Sequence, residues 1–90
     1  MDLTPEKRRI LYRAMHRGFK EADLIIGHFA KQHLHDMAET ELEEFVRLLE
    51  VPDQELYGWL IGRHNVPENH DGPIFRRLKA FDLPKHLMKS

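Results

Sequence analysis

Thr4-Pro5-Glu6-Lys7-Arg8-Arg9-Ile10-Leu11-Tyr12-Arg13-Ala14-Met15-His16-Arg17-Gly18 reads as one amphipathic helix with its own start and stop. Thr is a favoured N-cap, because its hydroxyl accepts from an orphan backbone N–H. Pro at the first helical position costs nothing, since its missing N–H would have no partner there. Ile10, Leu11, Ala14 and Met15 recur at helical spacing, and Gly18 offers a left-handed C-cap.

The same grammar continues along the chain. A second helix is predicted from about Lys20 to His35, with Ala22, Ile25, Ile26, Phe29 and His33 as its apolar stripe, widened by Leu24 and Leu34. Thr40-Glu41-Leu42-Glu43 has the pattern of a capping box and opens a third helix, whose apolar face is Leu42, Phe45, Val46 and Leu49. Pro52-Asp53 breaks and restarts the chain. Leu56, Tyr57, Trp59, Leu60 and Ile61 follow, with Gly62 as the stop. Residues 64–72 read as loop. Asp71-Gly72-Pro73 starts a last short helix, with Ile74, Phe75, Leu78 and Phe81 inward, until Leu83-Pro84 ends it. No segment alternates with period two, so no sheet is expected. The fold class is all-α, a single bundle of five short helices over residues 1–90. Its core spans about residues 4–82, with 83–90 as a candidate flexible tail.

Ninety residues allow one such core, and 41% hydrophobic with 32% charged side chains fits a folded domain better than a disordered tail. No apolar run approaches the roughly 20 residues that span a bilayer, so direct membrane insertion is not expected. The absence of Cys removes disulfide scaffolds, Cys-type zinc sites and thiol nucleophiles. The N-terminus carries no apolar signal segment and is not acid-poor like a transit peptide, so a bacterial cytoplasm is expected ahead of a mitochondrial matrix.

A formal net charge of −1 argues against a nucleic-acid partner. It conceals a pattern: residues 1–20 carry six basic and two acidic side chains, 21–55 two basic and ten acidic, and 56–90 six basic and three acidic. Such blocks either attract one another within the fold or present a bipolar surface to a partner. Lys7, Arg8, Arg9 and Arg13 are most simply the solvent face of their helix.

Catalytic chemistry is thinly represented. Of the seven His, no pair stands four residues apart, and the rings of His33 and His35 point about 200° apart on a helix, so no metal site is expected. Ser occurs only as Ser90, and the two Thr, Thr4 and Thr40, are assigned to caps. No glycine-rich phosphate cradle is present. The acids of residues 39–44 are explained by a helix dipole. No catalytic residue is assigned, and the chain is not expected to be an enzyme.

His16-Arg17-Gly18-Phe19-Lys20-Glu21-Ala22-Asp23 admits two readings. Gly18 as a helix stop, with Glu21 and Asp23 at the start of the next helix, accounts for the glycine and the acids. It does not account for Arg17 and Glu21 flanking an exposed turn around Phe19. A fixed turn carrying both charges and an aromatic ring is a docking edge.

Arg17-Gly18-Phe19-Lys20-Glu21 matches the Arg-Gly-x-x-Glu signature of the succinate dehydrogenase assembly factor 2 family, and the chain resembles that family beyond it. Glu21-Ala22-Asp23-Leu24-Ile25-Ile26-Gly27-His28-Phe29-Ala30 is similar to the family's acidic, aliphatic, Gly and Phe run. Phe45-Val46-Arg47-Leu48-Leu49-Glu50, then Pro52-Asp53 and Tyr57-Gly58-Trp59-Leu60, follow in family order. The resemblance covers about residues 8–63. His16 departs from it, where many members carry another basic residue.

The resemblance implies a five-helix fold and a chaperone-like assembly factor for covalent FAD attachment to the flavoprotein subunit of succinate dehydrogenase, with fumarate reductase as a further candidate client. In such flavoproteins the flavin 8α-methyl becomes bonded to a His of the flavoprotein itself, through a quinone-methide form attacked by the imidazole. A partner that holds the client in near-attack geometry speeds this without a catalytic residue of its own. The partner-binding residues implied are Arg17, Gly18, Phe19, Glu21 and Asp23: Gly18 for close approach, Glu21 as acceptor or ion-pair partner, Arg17 as complementary charge. Trp59 and Tyr57 are assigned to the core, with an interface edge as the second reading. A free monomer that holds no FAD stably by itself is expected. The rival readings are a carrier of free FAD and an antitoxin-like or regulatory binding module with an unrelated partner.

Overall fold

The computed structural model describes residues 3–81. The Leu83-Pro84 stop and the tail at 83–90 lie outside the described residues. The elements are α1 (Pro5–Met15), α2 (Lys20–His33) running into a 3-10 turn at Leu34–Asp36, α3 (Glu39–Leu49), α4 (Asp53–Leu60), a second 3-10 turn at Glu68–His70, and α5 (Pro73–Ala80). No strand occurs among the described residues. The all-α, five-helix expectation holds.

Local chemistry starts the first helix where the sequence leads one to expect. Thr4 Oγ1 accepts from the Lys7 N–H at 3.2 Å, and Pro5 stands at the first helical position. Ile10 and Ala14 face inward. The helix ends earlier than expected: Met15 is the last helical residue and His16, at φ −129°, is the C-cap, while Gly18 stands two residues beyond at φ +94°, in the left-handed region that costs a Cβ-bearing residue about 1–2 kcal/mol. At the far end of α2, the helix tightens two residues earlier than expected, after His33. Lys7 from α1 reaches across to that end, its Nζ donating to the carbonyls of His35 at 3.0 Å and Met37 at 3.3 Å. A cation on unpaired C-terminal carbonyls satisfies both the orphan acceptors and the helix dipole.

The third helix corrects the sequence reading. Its N-cap is Ala38, not Thr40, and Glu41 Oε1, not Glu43, accepts from the capping N–H at 2.7 Å. Ala38-x-x-Glu41 and Thr40-x-x-Glu43 compete as registers, and the buried set decides between them. Starting at Glu39 places Met37 and Leu42 just before and one turn into the helix, where both are buried and line one groove. The inward face is Leu42, Phe45, Leu48 and Leu49, while Val46 is only half-buried. Likewise Ile61, expected inward, is 47% exposed because α4 ends at Leu60 and the chain turns through Gly62 at φ +83°.

All five helices contribute to one core. Phe29, Phe45 and Phe75 are its largest fully buried side chains, and no polar or charged residue is buried as a whole among the described residues. Phe81 meets Phe29 edge-on at 5.6 Å, and Trp59, 6% exposed, lies against Phe75. The last helix is held by α3: Glu44 accepts from the Ile74 N–H at 3.2 Å and the Phe75 N–H at 3.0 Å. Gly72 leaves room for that carboxylate, since a Cβ there would lie 2.4 Å from Glu44 Oε2 and the side chain would have to shift. The charge blocks meet within the fold. Arg17 from the first pairs with Asp53 from the second, and Arg77 from the third with Glu41 at 3.5 Å.

Candidate functional site

The turn between α1 and α2 is pinned from two directions. Arg17 points inward, with its side chain 8% exposed. Its Nε donates to Asp53 Oδ1 at 2.6 Å, its Nη1 to the Leu49 carbonyl at 2.5 Å, and its Nη2 to the Val51 carbonyl at 2.7 Å. A planar guanidinium can serve three acceptors at once in this way, and Leu49 sits at the end of α3, where carbonyls lack helical partners. From the other side, the Asp23 carboxylate accepts the backbone N–H of Arg17 at 3.0 Å and of Gly18 at 3.2 Å. Side chain and backbone of one residue are thus held by α3, α4 and α2 together.

Pinning leaves a small set of groups facing outward. Gly18 has open space where a Cβ would stand, with no atom within 4 Å. Phe19 caps α2 in extended conformation, half-buried, its ring 5.0 Å from that of Tyr57. Lys20 and Glu21 are exposed. One shallow depression beside the turn is lined by Phe19, Glu21, Gln54, Tyr57 and Arg63, and a second by Gly18, Phe19, Lys20 and residues 52–55. Of the five residues singled out in the sequence, then, Gly18, Phe19 and Glu21 lie at the surface of one edge. Arg17 and Asp23 lie behind it as its two fasteners.

Residue-by-residue reading missed three members of this neighbourhood. Asp53 reads as an ordinary acid at a helix N-terminus, and nothing local links it to an arginine 36 positions away. Gln54 and Arg63 carry no motif at all. Tyr57, assigned to the core, is half-buried and joins the edge through Phe19. No group of three or more His, Cys, Asp or Glu among the described residues stands close enough to hold a metal ion. No helix among them is long and apolar enough to cross a membrane.

Comparisons with known proteins agree with the motif. Residues 8–82 match the family described as flavinator of succinate dehydrogenase. The FAD assembly factor SdhE of Acetobacter pasteurianus is 40% identical over 77 residues, covering 86% of this chain and 71% of that protein. The mitochondrial succinate dehydrogenase assembly factor 2 of Meyerozyma guilliermondii is 33% identical over 84 residues, covering 93% of this chain and 58% of its own length. That of Danio rerio is 33% identical over 81 residues, covering 88% and 51%. The chain spans between 33% and 58% of the length of mitochondrial relatives such as these. No solved structure matches it. With the signature on a doubly fastened turn and the match running through all five helices, the chain belongs to the flavinator of succinate dehydrogenase family.

Proposed function

We propose that this protein promotes covalent attachment of FAD to the flavoprotein subunit of succinate dehydrogenase, by binding that subunit and favouring its attachment-competent conformation. The observation that carries this reading is the rigid turn at Gly18. A docking edge gains affinity when its shape is set before binding, because less freedom is lost on association. Gly18 lets a client backbone approach closely, Phe19 supplies an apolar ring at the rim, and Glu21 offers a free carboxylate. Arg17 and Asp23 keep these three in place.

Such a factor acts by selection among client conformations rather than by chemistry of its own. The client supplies the histidine and the flavin, and the factor brings nucleophile and methyl carbon into line. The names of the relatives support the FAD-assembly role. Under this reading the protein acts as a monomer in a bacterial cytoplasm, and its relatives include both a bacterial and mitochondrial assembly factors. A fumarate reductase flavoprotein, which presents the same chemistry, is a second client under this reading.

The test is covalent flavin on the client subunit, read as in-gel fluorescence after denaturation. Cells lacking the protein should lose the signal, wild type should restore it, and Gly18→Arg and Glu21→Ala should not, although both accumulate folded. Normal fluorescence in cells lacking the protein would overturn the reading and return the molecule to the class of regulatory binding modules.

A further inference from the structure

We infer that the face of α2 from Lys20 to Lys31 is a second docking groove, shaped for an extended acidic segment of a partner polypeptide. The inference rests on the reading of the Gly18 turn as the client-facing edge, because the groove opens at that turn.

Lys20, Leu24, Gly27, His28 and Lys31 fall at spacings of four, three, one and three, so they share one side of α2. Together with Met15 from α1, and with Gly18 and Asp23 at the mouth, they line a continuous open groove. Its floor is apolar. Gly27 is buried, and a Cβ there would lie 3.0 Å from Met15 Cγ, so the glycine is what lets Met15 lie flat against the helix. Met15 and Leu24 stay half-buried, with apolar surface facing solvent.

The walls are cationic. Lys20 and Lys31 are exposed, and neither pairs with a carboxylate among the described residues. The single acid in the lining, Asp23, has its two oxygens committed to the N–H groups of Arg17 and Gly18. Two lysines against that one carboxylate leave the groove a net positive charge, in a chain whose formal net charge is −1.

Length sets the occupant. Eleven residues of helix rise roughly 16 Å. An extended chain rises about 3.3 Å per residue, so about five residues bridge the two lysines. Acidic side chains near both ends would meet Lys20 and Lys31, and a central apolar side chain would sit over Leu24 and Met15. Opposite charge steers the encounter, and the apolar contact fixes the register.

The probe is the peptide acetyl-Glu-Glu-Leu-Glu-Glu-amide, titrated into the ¹⁵N-labelled full chain and followed by amide and methyl shifts. Saturable shifts are expected at Leu24, Gly27, His28, Lys31 and the Met15 methyl. Affinity should fall at least tenfold in the Lys20→Glu/Lys31→Glu double variant and fall again with added salt. Leu24→Gln serves as a second variant that leaves the charges in place, and its affinity should fall about threefold or more. Each variant's own spectrum reports its fold. No saturable shift, equal binding of the Gln-for-Glu peptide, or shifts centred elsewhere would overturn the inference. Shifts in the groove with FAD but not with the peptide would overturn it in favour of a nucleotide anion. The titration needs no client, so its failure is separate from a failure of the flavinylation test.

Discussion

Arg17 Nε and Asp53 Oδ1 stand 2.6 Å apart, joining the α1–α2 turn to the first residue of α4 across 36 positions of sequence. The guanidinium is almost fully buried while the carboxylate side chain is 27% exposed, so the pair is strong on one side and solvated on the other. Its geometric consequence is that the arginine of the signature turns its charge inward, onto the end of α3 and the start of α4.

Replacing Arg17 should therefore show first as lost stability. Arg17→Ala leaves Asp53 without its partner and two carbonyls without donors, and should cost about 2–4 kcal/mol, the lower part of the range for a broken buried pair because Asp53 keeps some water. Arg17→Lys should recover less than half of that, since a single ammonium cannot serve three acceptors in a planar fork. Urea denaturation measures both, and a loss below about 1 kcal/mol for Arg17→Ala would show that the clasp does not hold the fold.

Asp23 fastens the same turn through its backbone. Asp23→Ala removes the acceptor of two N–H groups, one of them on an exposed residue, and should cost about 1–2 kcal/mol. Amide exchange at Arg17 and Gly18 should accelerate in this variant more than exchange in the α3 interior. Equal acceleration everywhere would mean that the loss is global and the turn is not specifically held.

Glu21 should behave in the opposite way. It is exposed and makes no side-chain hydrogen bond among the described residues, so Glu21→Ala should change stability by no more than about 0.5 kcal/mol. Client flavinylation should nonetheless fall strongly. Stability and function would then separate at the two ends of a five-residue motif, Arg17 acting through the fold and Glu21 through the partner. A destabilised but fully active Glu21→Ala protein would invert that assignment.

Glu44 makes a third structural prediction, remote from the turn. Glu44→Ala deprives the first turn of α5 of two acceptor contacts and should cost about 1–2 kcal/mol, read by thermal or urea unfolding. Gly72→Ala should cost no more than Glu44→Ala, because the flexible carboxylate can swing away from the added methyl and gives up at most the same two contacts. Glu44→Gln, which keeps one carbonyl acceptor, should fall between wild type and Glu44→Ala.

Thr4, Pro5 and Gly62 mark helix ends where the sequence says they should, because capping chemistry and backbone conformation are decided within three or four residues; α1 instead ends at Met15, with His16 as its C-cap two residues short of Gly18. Apolar spacing places the buried face of α5 for the same reason, and on α2 it finds Ala22, Ile26 and Phe29, while Leu24, Ile25 and His33 stay half-buried and Gly27 and Ala30 complete the buried face. Thr40 has the pattern of a cap without being one because two capping registers overlap, and local chemistry does not rank them. The rank comes from the burial of Met37 and Leu42 against the rest of the core. His35 reads as part of α2 because nothing near it reveals that a lysine 28 residues earlier holds its carbonyl.

By itself, then, the sequence determined the helical class, the helix boundaries set by local caps, and the five-residue signature that marks the family. Only the tertiary structure decided what each member of that signature does in space. It turned Arg17 inward onto Asp53, set Asp23 behind the backbone of Gly18, laid Phe19 against Tyr57, and left Glu21 in solvent. The physical reason is range. Caps and periodicity are interactions of neighbours along the chain. The direction in which a charged side chain points depends on which distant carboxylates and unpaired carbonyls packing brings within about 3 Å.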